Sequence, residues 1–498
     1  MVRPLIPALL AVVSLASSAR EVPSTSERSN ASDTVSRSKV VQHFAQSHSR
    51  AYAWLRELTS TIGSRVTGSA GSNEATKWAL KTMGEIGLRQ VHTEPWQLSR
   101  GWQRGSATAR LILPADRPLT VTSYGWCGST SEPSTEAAVI EVTWNQYEAF
   151  QSIASSWAGK IVLLTNVPGR HRDSLADYAH LAEVVSLATK VGAIGIISRN
   201  SRPSPPATHT DPVAFARDIP CTLPVLDIAA EDEQILIHHL DAGRPVHIRL
   251  SVHNTFSSGP VTTANVVGDI PGTSEADQVV VVGAHLDSWD LGVGAVDDGT
   301  GVATVLGAAD ALIRSGLRPK RTIRFVLFSG EEQGLLGSRA WIAAHRAELP
   351  KVTAALIMDW GPGAITGIAL SGHDELTNDL TVIAAAMEPF AHIKVRDGYL
   401  TYTDAFSFTL AGLPGLATIQ DAPTYAAIAH SAADTLAEVD QQVLVHDSAI
   451  FGMLALGLAD RPAAAQYPWP TEEVSRRLEQ DKQLEMLRLL GLWPVHGP

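Results

Sequence analysis

VVVVGAHLDSWDLGVGAVDDGTGVATVLGAADALIRSG, residues 279–316, reads in order as a strand, a loop and a helix. Val279 to Ala284 form an apolar run, the pattern of a strand covered on both faces. Val302, Val305, Leu306, Ala309, Leu312 and Ile313 recur at the helical period, and Gly316 closes it. The loop between them carries His285, Asp287, Asp297 and Asp298. Three more segments set an acid or an imidazole beside apolar sequence: RFVLFSGEE (324–332), ALIMDW (355–360) and AHSAADT (429–435). Two imidazoles and three or more carboxylates suit a pair of zinc ions, each with N and O ligands and room for water.

Working outward, NVVGDI, VVVVGA, IRFVLFS, ALIM and LATI are the clearest strands between 258 and 460, with amphipathic helices between them. This predicts an α/β fold with a mixed, mostly parallel sheet and helices on both faces. Sites in such sheets form at the carboxyl ends of the strands, where these candidates fall. Residues 36–112, with a helix pair split by GSRVTGSAGSN, complete this body. Residues 113–257 read as a separate inserted α/β domain without a cluster of metal ligands or acid/base pairs; its His209, His238 and His239 read as ordinary surface or core residues. A Pro-rich linker and one amphipathic helix fill 461–498.

Residues 1–19 have a basic start, a short apolar core and small residues before a cut after Ala19, the pattern of a secretory signal. Residues 20–35, rich in Ser, Thr, Arg and Glu, read as a flexible leader. The expected product is secreted or periplasmic, with no membrane span. A net charge of −12 with scattered basic residues argues against nucleic acid or an anionic membrane as partner. Cys127 and Cys221 could form one disulfide or stay as two thiols.

Each segment alone has an ordinary reading; their order and placement at strand ends do not. His285 can bind metal through one ring nitrogen while Asp287 takes the proton of the other. Asp297 and Asp298 could merely favour a helix start, but a carboxylate bridging two cations explains an acid pair in a glycine-rich loop. Of Glu331 and Glu332, one can bind metal while the other faces the attacking water as general base. Asp359 ends an apolar strand and needs a partner there. His430 has Asp434 four residues on as a possible orienting acid, and Tyr402, Thr403 and Asp404 lie in a loop that could meet substrate. His-Glu-x-x-His, Gly-x-Ser-x-Gly and P-loop motifs are absent.

The strings GAHLDSWDLGVGAVDDGTG, LRPKRTIRFVLFSGEEQG and HSAADT resemble the co-catalytic di-zinc exopeptidases, and within them the plasma glutamate carboxypeptidase group. GSRVTGSAGS, KVGAIGI and HTDPVAFARDIPCTLPVLDI extend the resemblance from about residue 36 to 460, so the insert resembles a protease-associated domain. The resemblance implies two Zn2+ per subunit: His285 and Asp359 on one, Glu332 and His430 on the other, Asp297 bridging. Glu331 is then the general base, Asp287 orients His285, and the Asp297–Asp298 peptide is cis. It also implies a homodimer that hydrolyses dipeptides or C-terminal residues through a metal-bridging water. Ala432 replaces a second histidine of the group, Trp360 is bulkier than its counterpart, and the tail after 461 is unmatched. The rivals are a di-zinc aminopeptidase, a glutaminyl cyclase-like enzyme and a non-catalytic binding protein on the same scaffold.

Overall fold

The computed structural model describes residues 25–493 except 132, 167–174, 201, 203–207, 214–220 and 463–466; the signal sequence lies outside the described residues. Two eight-stranded sheets organise the chain. The larger runs in spatial order Arg89–Leu98, Val261–Ile270, Arg321–Phe328, Glu275–His285, Val352–Ile357, Gly415–Gln420, Ile365–Ala369, Lys394–Arg396. Its centre is parallel: Val280 to His285 pair with Ile323 to Phe328, and Val280 to Gly283 with Ala354 to Ile357. Antiparallel pairs flank that centre, so the sheet is mixed, as predicted.

The central strands are apolar on both faces because helices cover both. On one face Thr300–Ser315 packs against Gln441–Asp460 and Thr25–Gln46. A Cβ on Gly307 would meet Ser448 Oγ at 2.5 Å, so glycine permits that close helix contact. Gly316, at φ 68°, ends the Thr300–Ser315 helix in the left-handed conformation. Gln441–Asp460 is long and apolar enough to cross a bilayer, but 78% of its apolar window is buried in the core.

The smaller sheet takes its strands from Ala107–Leu113 to His247–Val252, so it begins before residue 113, the boundary read from sequence. The texture change at 113 marks a strand end rather than a unit boundary. Trp102–Gln103 pairs with Thr255–Phe256 where the chain leaves and re-enters the body. Arg104 forms a two-pronged ion pair with Asp290 of the body, and Trp126 stands edge-on to Trp289 at 6.2 Å. Cys127 and Cys221 are both free thiols.

Two further expectations fail. The helix Thr25–Gln46 runs through most of the segment read as a flexible leader, anchored by Val41 and Ala45, which join the core. The tail is two helices, Thr471–Gln480 and Leu484–Leu490, separated where Lys482 takes φ 58°. The break re-aims Leu484, Leu487 and Leu490 so that they pack with Val474 and Leu478 against Leu335, Phe406 and Leu410 of the body and Ala179 of the smaller unit. Trp469 is sandwiched between the His373 ring and the Arg477 guanidinium, and Tyr467 donates to Glu375.

Candidate metal centre

Strand direction decides what meets. Parallel strands ending in register bring His285, the 331–332 pair and Asp359 to one rim of the sheet, and the loop after residue 420 carries His430 to the same place. His285 Nε2 lies 3.2 Å from Asp297 Oδ1, 3.4 Å from Asp359 Oδ1 and 4.0 Å from Glu331 Oε2. His430 Nε2 lies 3.1 Å from Asp297 Oδ2 and 3.1 Å from Glu332 Oε2. One carboxylate, Asp297, thus turns an oxygen to each imidazole. The peptide joining it to Asp298 is cis.

Groups behind these side chains aim them. His285 Nδ1 lies 3.1 Å from the Asp287 carbonyl and 3.6 Å from its carboxylate. Asp287 also accepts from Thr67 and from the backbone N–H groups of Glu331 and Glu332, which ties three loops together. Asp298 accepts from the N–H groups of His285 and Gly301. Asp434 accepts from the N–H groups of Val296 and Asp297. It therefore holds the acid pair and does not orient His430, correcting the role read from its spacing. Four residues along this loop do not form a helical turn, so spacing misled.

The acid on His430 comes from the other unit. Asp211 Oδ1 is 2.9 Å from His430 Nδ1, and the Thr210 carbonyl is 3.1 Å away. Residues 113–257, read from sequence as holding no cluster of metal ligands or acid/base pairs, thus still supply one acid to the site. Arg65 was missed as well. Its guanidinium is buried and donates to the carbonyls of Gly63, Leu286, Val293 and Gly294, framing the loop that carries Asp287. Its only signal was the polar string GSRVTGSAGS. Asp404 is buried at the start of the helix Asp404–Leu410 and makes no ion pair with the cluster among the described residues. Trp360 and Tyr402 lie 5.4 Å apart and Trp360 and Tyr425 5.3 Å apart, an aromatic wall beside Asp359.

Packing so many acids out of water has an electrostatic signature. Burial pushes Glu332 up to about 7, Asp359 to about 6 and Asp404 to about 7. Burial and the charge of Asp359 raise Glu331 well above the usual carboxylate range. Asp297 goes the other way: burial opposes its ionisation, but hydrogen bonds from His285 and His430 hold it well below that range. Burial alone would lower both imidazoles; Asp359 beside His285 and Glu332 beside His430 help raise them instead. Glu332 Oε1 is buried and finds no hydrogen-bond partner among the described residues. Facing oxygens, two imidazoles and a spare buried carboxylate oxygen fit borderline divalent cations that take N and O ligands, zinc foremost.

Residues 265–455 match the model of peptidase family M28. Carboxypeptidase Q of Xenopus laevis is 29% identical over 416 residues, covering 83% of this chain and 87% of that protein. The crystal structure of a peptidase M28 precursor from Shewanella amazonensis SB2B superposes with a TM-score of 0.77 at 28% identity, covering 88% of this chain and 100% of that one. A zinc aminopeptidase from Bacillus subtilis shares the fold, with a TM-score of 0.63 at 20% identity over 84% of this chain and 96% of its own.

Proposed function

We propose that this chain, a zinc metallopeptidase built around a peptidase family M28 domain, is a secreted exopeptidase that hydrolyses dipeptides or removes C-terminal residues at a two-zinc centre. The observation that carries the two-ion reading is Asp297, whose oxygens face His285 and His430 separately at 3.2 and 3.1 Å. His285 and Asp359 would hold one ion, Glu332 and His430 the other, and Asp297 both. When bound there, zinc supplies Lewis-acid polarisation of the scissile carbonyl and acidifies a water.

The chain's own residues do the rest. Glu331 holds its carboxylate beside the ligands without pairing closely to either imidazole, and burial keeps it basic enough to accept a proton. Its Oε2 takes the proton of the attacking water and returns it to the leaving amine. Asp287 keeps the Nδ1 side of His285 occupied, so that Nε2 points into the centre. Trp360, Tyr402 and Tyr425 offer an apolar wall to a substrate side chain and exclude water from that flank. Residues 1–19 serve as the export signal, the smaller sheet unit as a protease-associated domain, and the chain acts as a homodimer.

Metal analysis of the purified protein should find two zinc ions per chain. Glu331→Gln should keep both while turnover falls by several orders of magnitude; wild-type turnover would refute the assignment. Free dipeptides should be cleaved and chelator should stop it. Cleavage of N-blocked but not C-blocked dipeptides would favour the carboxypeptidase reading, and the reverse pattern an aminopeptidase.

A further inference from the structure

We propose that Asp211, clamped by Tyr178, Asn200 and Arg202, is a positioning residue for His430, so that the ion held by His430 and Glu332 binds tightly only when the inserted unit is docked. The inference rests on the reading of those two residues as ligands of one ion. All four residues of the clamp lie in the smaller sheet unit, and Asp211 is fully buried. Its Oδ1 accepts from Tyr178 Oη at 3.0 Å and faces Arg202 Nη2 at 3.4 Å, and its Oδ2 accepts from Asn200. The same Oδ1 stands 2.9 Å from His430 Nδ1.

Two acceptors, Asp211 and the Thr210 carbonyl, and one donor, Arg202 Nη2 at 3.0 Å, converge on Nδ1; with the Arg202 N–H given to Asp211, the ring proton sits on Nδ1. Nε2 is then left with its lone pair toward Asp297 and Glu332, the tautomer a metal needs. The backbone agrees. His430 sits at φ 60°, a left-handed conformation that a residue with a side chain adopts only when its surroundings enforce it. The inserted unit supplies that enforcement: Thr210 N–H donates to the His430 carbonyl, and His209 bridges Ser431. A carboxylate buried this deep would be costly unpaired, and Arg202, within reach of both Asp211 and His430, balances it. Within the body's own loop Asp434 is spent on the backbone of residues 296–297.

Full-length Asp211→Ala, Asp211→Asn and Tyr178→Phe are compared with wild type for zinc, by metal analysis and by competition with a chromogenic chelator. Asp211→Ala should keep one tight ion and bind the second about 10–100-fold more weakly, with activity recovering as free zinc is raised. Asp211→Asn keeps an acceptor without the charge and should fall between Ala and wild type, and Tyr178→Phe should show the smallest shift. Should Asp211→Ala fail to fold, the other two variants carry the test. His430→Ala is the reference and should lose the same ion. If it does so while the folded Asp211 and Tyr178 variants bind both ions like wild type, the positioning role is overturned. If His430→Ala itself keeps both ions at wild-type affinity, the ligand assignment fails instead.

Discussion

The two imidazoles of this centre are held in opposite ways. His285 ends a central strand, and the groups that orient it, Asp287 and Asp298, lie within 13 residues of it. His430 rests on a loop whose supporting acid, Asp211, lies 219 residues away in a loop of the smaller unit. The first arrangement is written in one string of sequence; the second exists only after two units dock. A metal centre can therefore be half local and half assembled, and its two halves should fail differently.

Removing what they share should cost most. Asp297→Asn takes a charge from both sides, and kcat should fall by roughly 10²–10³ or more, with zinc content reduced at both positions. Loss of only one ion would show that Asp297 does not bridge. Arg65→Met should strike the His285 half first. It strips four carbonyls of their donor, and thermal or urea unfolding should show a loss of about 3 kcal/mol or more, with the His285 ion weakened first.

Acidity should act on both halves, at different midpoints. Burial raises Glu332 to about 7 and Asp359 to about 6, and as zinc ligands both would have to be deprotonated. Zinc affinity should thus fall as pH drops from 8 to 5, by about tenfold per unit for each proton that must leave. The His430 and Glu332 half should weaken at the higher pH. A flat profile in chelator competition would contradict the shifts.

The smallest effect belongs to His209, which packs under the His430 loop with Nε2 3.3 Å from the Ala427 carbonyl. Burial lowers its pKa to about 4, so it is neutral at working pH and gives no charge to the site. His209→Gln should cost about 1 kcal/mol of stability and shift zinc binding little. A large loss of zinc would move part of the supporting role from Asp211 to His209.

What the sequence made legible follows the same division. The central strands, the helix over 300–315 and the gathering of His285, Asp297, Glu331, Glu332, Asp359 and His430 at one rim follow from apolar runs that end in acids or imidazoles. Parallel strands in register leave those ends little choice. Asp211 was hidden because nothing in HTDPVAF distinguishes a loop acid from one facing a distant imidazole. Asp434 was misassigned because spacing was read without loop geometry. The first helix was missed because Ser, Thr and Arg outnumber its few core anchors. The tail was read as one helix because its apolar residues continue past Lys482, and only the turn there shows that they change direction.

The tail packs through Leu478, Leu487 and Trp493 onto Leu335, close after the Glu331–Glu332 pair, and onto Ala179 of the smaller unit. A protein nicked between Arg461 and Tyr467 would thus keep its last helices as a docked peptide, and a chain shortened there would expose an oily seam where the loop after Glu332 and the smaller unit meet.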